Sequence, residues 1–137
     1  MNPTIRAADC DDVPAVLALW RHAEAAPTHT DDDGSLVALV RHDPAALIVA
    51  EDDGLVVGSV IAAWDGWRGS IYRLVVAPEH RRAGLGRRLL SVAEERLVAV
   101  GAARSQAVVV ASDPRALGFW RSSGWEEQVE RARFVRG

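Results

Sequence analysis

The 137 residues are 49% apolar and 26% charged, a balance that excludes general disorder and leads us to expect one domain with one core, standing without disulfide or metal staples. All sixteen basic residues are arginine and the single cysteine is Cys10, which removes a Walker-loop lysine, a lysine Schiff base, an internal disulfide and a Cys/His zinc pattern. The net charge of −3 is unevenly spread, with four arginines against twelve carboxylates in residues 1–70 and twelve against seven in residues 71–137; this suits two solvated faces of unlike sign as well as two different partners.

Residues 4–7 read as a short strand. Asp12 is a natural N-cap with Pro14 in the first turn behind it, and Val13, Val16, Leu17 and Trp20 recur at helical spacing. Residues 27–34, with three successive aspartates, read as loop, and Leu36, Val37, Leu39 and Val40 as a short second helix ending before Pro44. Residues 46–50 and 55–63 are Val/Ile-rich strands joined by Asp52, Asp53 and Gly54, a hairpin signal. A turn at residues 64–69 leads to a strand at residues 70–76, stopped by Pro78.

From Gly84 the period changes to 3.6, with Leu85, Leu89, Leu90, Ala93, Leu97 and Val100 on one face and Gly101 as the stop. Residues 107–111 form an apolar run expected to be a central strand covered on both faces. Asp113 and Pro114 cap a helix over residues 115–122, and residues 132–135 have the pattern to close the sheet. The order β-α-α-β-β-β-α-β-α-β predicts an α/β (α+β) fold, a mixed sheet with helices on both sides. No repeat, linker or low-complexity segment interrupts it.

The chemistry concentrates where the strand ending at Val76 feeds through Arg81, Arg82, Ala83, Gly84, Leu85 and Gly86 into the long helix. First-turn N–H groups have no partner within a helix, and its dipole adds positive potential there. Glycines at 84 and 86 leave those groups uncovered, and Arg81, Arg82 and Arg87 surround them, an arrangement suited to a diphosphate. A G-x-G pair alone fits a softened turn with solvated arginines equally well. Leu89 stands where a dinucleotide fingerprint has its third glycine, which disfavours a nicotinamide enzyme.

The run from Leu74 to Leu90 resembles the acyl-CoA motif of the GNAT superfamily of N-acetyltransferases, Q/R-x-x-G-x-G/A, met here by Arg81, Gly84 and Gly86. Asp113, Ala116, Trp120, Gly124 and Trp125 resemble the family's second motif, N-x-x-A-x-x-x-Y-x-x-x-G-F, with Asp, Trp and Trp in place of Asn, Tyr and Phe. The D-G-x-R-G turn of Asp65 to Gly69 looks like that of a small bacterial subgroup. The resemblance implies a GNAT fold with a splayed central strand pair: main-chain groups of Leu74, Val75 and Val76 bond pantetheine, one N–H polarises the thioester carbonyl, and Arg82, Ala83, Gly84, Leu85, Gly86 and Arg87 take the diphosphate.

What the resemblance further implies is direct acetyl transfer from acetyl-CoA, as cosubstrate, to a primary amine of a small molecule or a protein, with no metal. The alternative is an acyl-CoA-binding sensor that has lost turnover. Alternation puts Ser70, Tyr72 and Leu74 on one face of their strand, making Tyr72 the leading catalytic residue, with a water relayed near Tyr72, Asp65 or Glu51 as the base; equally, Tyr72 packs on the sheet. Trp120 cannot act as the general acid that the family's tyrosine is credited with being and is expected to line the cofactor's acyl slot instead, while Asp113, at the family's pantetheine-contacting position, keeps an acceptor but loses the asparagine's donor. Asp31, Asp32 and Asp33 suit a cationic amine or a solvated loop. His22, His29 and His42 lack metal-site spacing. No basic patch with interleaved aromatics suggests nucleic acid, no apolar run reaches membrane-helix length and residues 1–4 do not read as an export signal, so a cytoplasmic protein is expected. A homodimer through sheet edges is left open.

Overall fold

A computed structural model describes residues 2–137 and gives the order β1 (Thr4–Ala7), α1 (Val13–His22), α2 (Asp33–His42), β2 (Leu47–Asp52), β3 (Leu55–Trp64), β4 (Gly69–Val76), α3 (Leu85–Ala99), β5 (Ser105–Ala107) and α4 (Pro114–Arg121), with 3₁₀ turns at Cys10–Asp12 and Pro78–His80. Two units are distinguished, Met1–Ala107 and Val108–Gly137. The first holds a mixed sheet in the order β1-β2-β3-β4-β5, antiparallel throughout except that β5 runs parallel to β4.

The expected hairpin forms where its turn residues stand. Asp52 pairs with Leu55, and between them Asp53 (φ 53°) and Gly54 (φ 80°) both take the left-handed conformation that a two-residue turn between twisted strands requires. The two faces of the sheet are then covered by different helices. On one face the Trp20 indole of α1 reaches Ser59 of β3. On the other, Gly58 lets α3 approach closely: a Cβ there would lie 2.8 Å from Leu89 Cδ1 and 3.4 Å from Leu85 Cδ2. Leu47, Val49, Val60, Ile71, Leu89 and Leu97 are fully buried between these layers, each contributing roughly 1.5–3 kcal/mol of transfer free energy.

Four expectations are corrected. The strand expected to be central and covered on both faces is instead the short edge strand Ser105–Ala107, pairing Gly69–Ile71 of β4, and residues 108–110 lie outside any strand with Val108 and Val110 about half exposed. Residues 132–135 likewise form no strand, and Phe134 is 92% exposed. Apolar β-branched composition supplies strand propensity, but a strand exists only where a neighbouring chain supplies the ladder. The aspartate run is only partly loop, because Asp32 caps α2 by accepting the Ser35 N–H at 2.7 Å and Asp33 opens the helix. Asp12 makes no cap bond to α1; its carboxylate accepts from Arg6 at 2.8 and 3.0 Å and from the Asp9 N–H at 2.8 Å, while Asp9 caps the 3₁₀ turn.

Candidate functional site

Between Tyr72 and Val75 the β3–β4 ladder loses its register. Ser59 faces Val75 and Ile61 faces Tyr72, so Val60 alone opposes both Arg73 and Leu74. This is a β-bulge, and Arg73 carries it with a left-handed φ of 52°, a conformation costing a non-glycine residue about 1–3 kcal/mol unless its surroundings hold it. The bulge also corrects the expected alternation: register puts Ser70, Tyr72 and Val75, rather than Leu74, on the face that Ser59 and Ile61 share. Beyond Ile71, β5 no longer pairs with β4, so along Leu74, Val75 and Val76 the ladder of the first unit is on the β3 side alone.

The chain then passes through the Pro78–His80 turn, which is tied at both sides: His22 Nε2 lies 2.5 Å from Glu79 Oε1 and His80 Nε2 lies 3.1 Å from Asp52 Oδ2. The His22 contact holds the Glu79 carboxyl below the usual glutamate range. Arg81 donates from Nε to the Val76 carbonyl at 3.3 Å and from Nη2 to the Ala23 carbonyl at 3.5 Å. Arg82 (φ 67°) and Gly84 (φ 80°) are both left-handed, and Gly84 is the N-cap of α3, with no side chain capping its first turn and no acidic residue within it. A Cβ on Gly84 would meet nothing within 4 Å; there glycine serves the torsion, whereas Gly86 lies inside the helix without positive φ.

Leu85 is buried as the hydrophobic anchor of that start, while Arg82, Ala83 and Arg87 are exposed around it. Arg88 points elsewhere, donating to the Pro3 carbonyl at 2.9 Å. The result is a helix N-terminus with exposed arginines around it, next to a half-paired strand, and its first-turn N–H groups and dipole favour negative charge.

A groove of about 190 Å³ lies between α1 and the segment that follows it, lined by Leu17, Trp20, Arg21, Pro27, Thr28 and Asp31 among others. Asp31 is not a free anion in it, because Arg73 pairs with its carboxylate, Nε to Oδ1 at 3.1 Å and Nη2 to Oδ2. Tyr72 is 43% exposed. The carboxylates suggested for proton relay are already engaged. Asp65 accepts from the Arg68 and Trp67 N–H groups at 2.6 and 2.8 Å, which hold its carboxyl below the usual range, and Glu51 is paired with Arg6 at 2.6 Å. Ser70 Oγ accepts from Gln106 at 3.3 Å.

Asp113 and Trp120 belong to the second unit. Asp113 Oδ1 accepts the Arg115 and Ala116 N–H groups at 3.1 and 3.2 Å and so caps α4. The Trp120 ring sits edge-on to Trp125 at 5.0 Å and to Phe119 at 5.8 Å. Among the described residues no group of three or more metal-binding side chains converges, and no helix is long and apolar enough to cross a membrane.

Sequence reasoning missed Arg73 and Ser59. A serine amid the apolar run of residues 55–63 and a core tryptophan whose N–H needs an acceptor were the available signals; the bulge that unites them has no sequence mark, because arginine is not the residue expected at positive φ.

The model of the acetyltransferase (GNAT) family matches residues 13–125. An acetyltransferase of Yersinia pseudotuberculosis is 33% identical over 124 residues, covering 90% of this chain and 88% of the relative. Among solved structures, the PaiA N-acetyltransferase of Thermoplasma acidophilum in complex with coenzyme A superposes with a TM-score of 0.80 at 15% identity, over 93% of this chain and 92% of its own. YncA of Salmonella typhimurium, solved with its cofactor acetyl-CoA, reaches a TM-score of 0.74 at 25% identity, over 90% and 79%.

Proposed function

This chain belongs to the GNAT acetyltransferase family, and on that premise we propose that it transfers an acetyl group from acetyl-CoA to a primary amine of a small molecule or a protein. One observation carries the reading: the first turn of α3 has no side-chain cap and no acid, and arginines stand around it. Arg82, Ala83, Gly84, Leu85, Gly86 and Arg87 would hold the diphosphate, with Arg81 setting the loop through Val76 and Ala23. Backbone groups of Leu74, Val75 and Val76 would take the pantetheine arm, since β5 leaves that edge of β4 after Ile71.

When bound, acetyl-CoA supplies an activated acyl carbon: a C–N bond forms as the C–S bond breaks, one amine proton is lost and coenzyme A departs as thiol. A backbone N–H near the bulge is the donor for the acyl oxygen, of a kind whose removal costs about 3 kcal/mol elsewhere. The acceptor faces a different demand, because an alkylamine of pKa ~10.4 is about one part in a thousand free at neutral pH. Tyr72 is the proton-handling residue of this reading, exposed on the face of the sheet that α1 covers. Trp120 has no acidic proton to give near neutral pH, so solvent protonates the leaving sulfur; a thiol of pKa ~8.5 leaves tolerably as its anion. Asp113 caps α4 through Oδ1 and in this reading also takes the place of the family's pantetheine-contacting asparagine, as an acceptor only. The groove beside Trp20 and Asp31 is the acceptor's place.

Calorimetric titration with acetyl-CoA, followed by thiol release across polyamines, amino acids, aminoglycosides and peptides, tests this. Binding together with turnover on any amine is expected. Binding with silence across a broad panel would overturn the transferase reading in favour of a sensor.

A further inference from the structure

Four side chains converge on the bulge of β4. Ser59 is fully buried, and its hydroxyl has two definite jobs: Oγ accepts from Trp20 Nε1 at 2.9 Å and donates to the Arg73 carbonyl at 2.9 Å. The Arg73 side chain turns back over the same tryptophan, its guanidinium carbon 4.9 Å from the ring centroid, and ends on Asp31 with both groups largely buried. The peptide that follows the left-handed residue is thus fixed through its carbonyl, and the residue itself through its side chain. Neither restraint comes from the strand ladder.

We infer that Trp20, Ser59 and Arg73 form a lock that holds the β4 bulge in its left-handed conformation and thereby aims the adjacent Leu74 and Val75 backbone at the acyl group; they are positioning residues for transfer. The inference rests on the acetyl-CoA reading above. Its physical basis is independent of any ligand: arginine at φ 52° relaxes toward ordinary extended backbone unless held, and such a relaxation rotates the peptide plane between Arg73 and Leu74, whose carbonyl Ser59 grips. A fixed donor stabilises developing charge without reorganising, whereas a mobile one does not. A hydroxyl that only satisfied the Trp20 N–H would need no second partner, whereas that of Ser59 also donates to the Arg73 carbonyl and so ties the bulge to α1. The lock also shares Trp20 and Asp31 with the groove proposed for the acceptor, so the acyl and amine sites are built on common side chains.

The test uses Ser59→Ala, which removes the bridging hydroxyl, and Trp20→Phe, which keeps a core ring and removes the N–H. Three quantities are read: amide hydrogen exchange of residues 73–75 without ligand, the displacement of the carbonyl resonance of acetyl-CoA labelled with carbon-13 at that carbon, and the ratio of acetyl-CoA to coenzyme A affinity. In both variants exchange should quicken about tenfold, the bound carbonyl resonance should return at least halfway to its free position, and the affinity ratio should fall about fivefold, with coenzyme A affinity itself within twofold of wild type. Faster exchange with an unshifted carbonyl assigns the residues to stability alone and overturns the inference, as does no change in either reading. If Ser59→Ala does not fold, Trp20→Phe decides by the same readings. Failure of the wild-type protein to bind acetyl-CoA sinks the functional reading and this inference together; unaltered variants beside a responsive wild type sink the inference only.

Discussion

Helices α2 and α3 each begin with first-turn N–H groups that have no partner inside the helix. At α2 the Asp32 carboxylate bends back onto the Ser35 N–H and hydroxyl, and Asp33 follows in the first turn. At α3 the N-cap is Gly84, which has no side chain to offer, and the basic residues Arg82 and Arg87 flank the opening. The first start supplies its own anion and is finished when the chain folds; the second supplies none, which is what the proposed diphosphate site requires.

Substitutions can break the contrast from either side. Gly86→Val adds side-chain bulk at the mouth of α3 without the torsional penalty that any change at Gly84 carries, and valine is no worse a helix former than glycine. We expect acetyl-CoA affinity by calorimetry to fall about a hundredfold, equivalent to about 2.8 kcal/mol, with the far-UV spectrum unchanged; retained affinity would remove the α3 start as the diphosphate site. Replacing Arg82 and Arg87 together by alanine leaves the N–H groups open but strips charge. The expected loss is about tenfold, and the dependence of the binding constant on salt should flatten at the same time.

On the finished side, Asp32→Ala should lower unfolding free energy by about 1 kcal/mol and Asp32→Gly by only a few tenths, both with wild-type acetyl-CoA affinity. Chemical denaturation of the three proteins in parallel reads this, and an affinity change in Asp32→Ala would contradict the division of labour. The smallest effect concerns acid. Arg6 donates to Asp12 and holds its carboxyl below the usual aspartate range, with the Asp9 backbone assisting. The unfolded chain therefore binds the proton more readily, so this contribution is complete above the ordinary carboxylate range and disappears as pH falls through the depressed value. Urea midpoints should decline toward acid more shallowly in Arg6→Gln than in wild type.

The legible parts were those whose cause is local. A two-residue Asp-Gly turn, a 3.6-residue apolar period ending at Gly101 and a glycine-arginine helix start act over a few residues each, and the hairpin, α3 and its open N-terminus stand where they were expected. The resemblance carried by Arg81, Gly84 and Gly86 agrees with the family match over residues 13–125. The illegible parts depended on partners distant in the chain. Residues 108–110 have strand composition and no ladder, and the face shared by Ser70 and Tyr72 continues to Val75 because one extra residue enters β4.

Sequence by itself determined the family and the element order through α4, and marked the glycine-arginine start of α3, because hydrophobic period, turn residues and side-chain-free positions operate within one element. Tertiary structure alone decided that Arg73 sits in a left-handed bulge, that Ser59 bridges its carbonyl to Trp20 and that Asp31 closes on its guanidinium. Those contacts join residues 14 to 42 positions apart in the chain, and a side chain separated so far from its partner acquires a role only when the sheet and α1 bring the two within hydrogen-bonding distance.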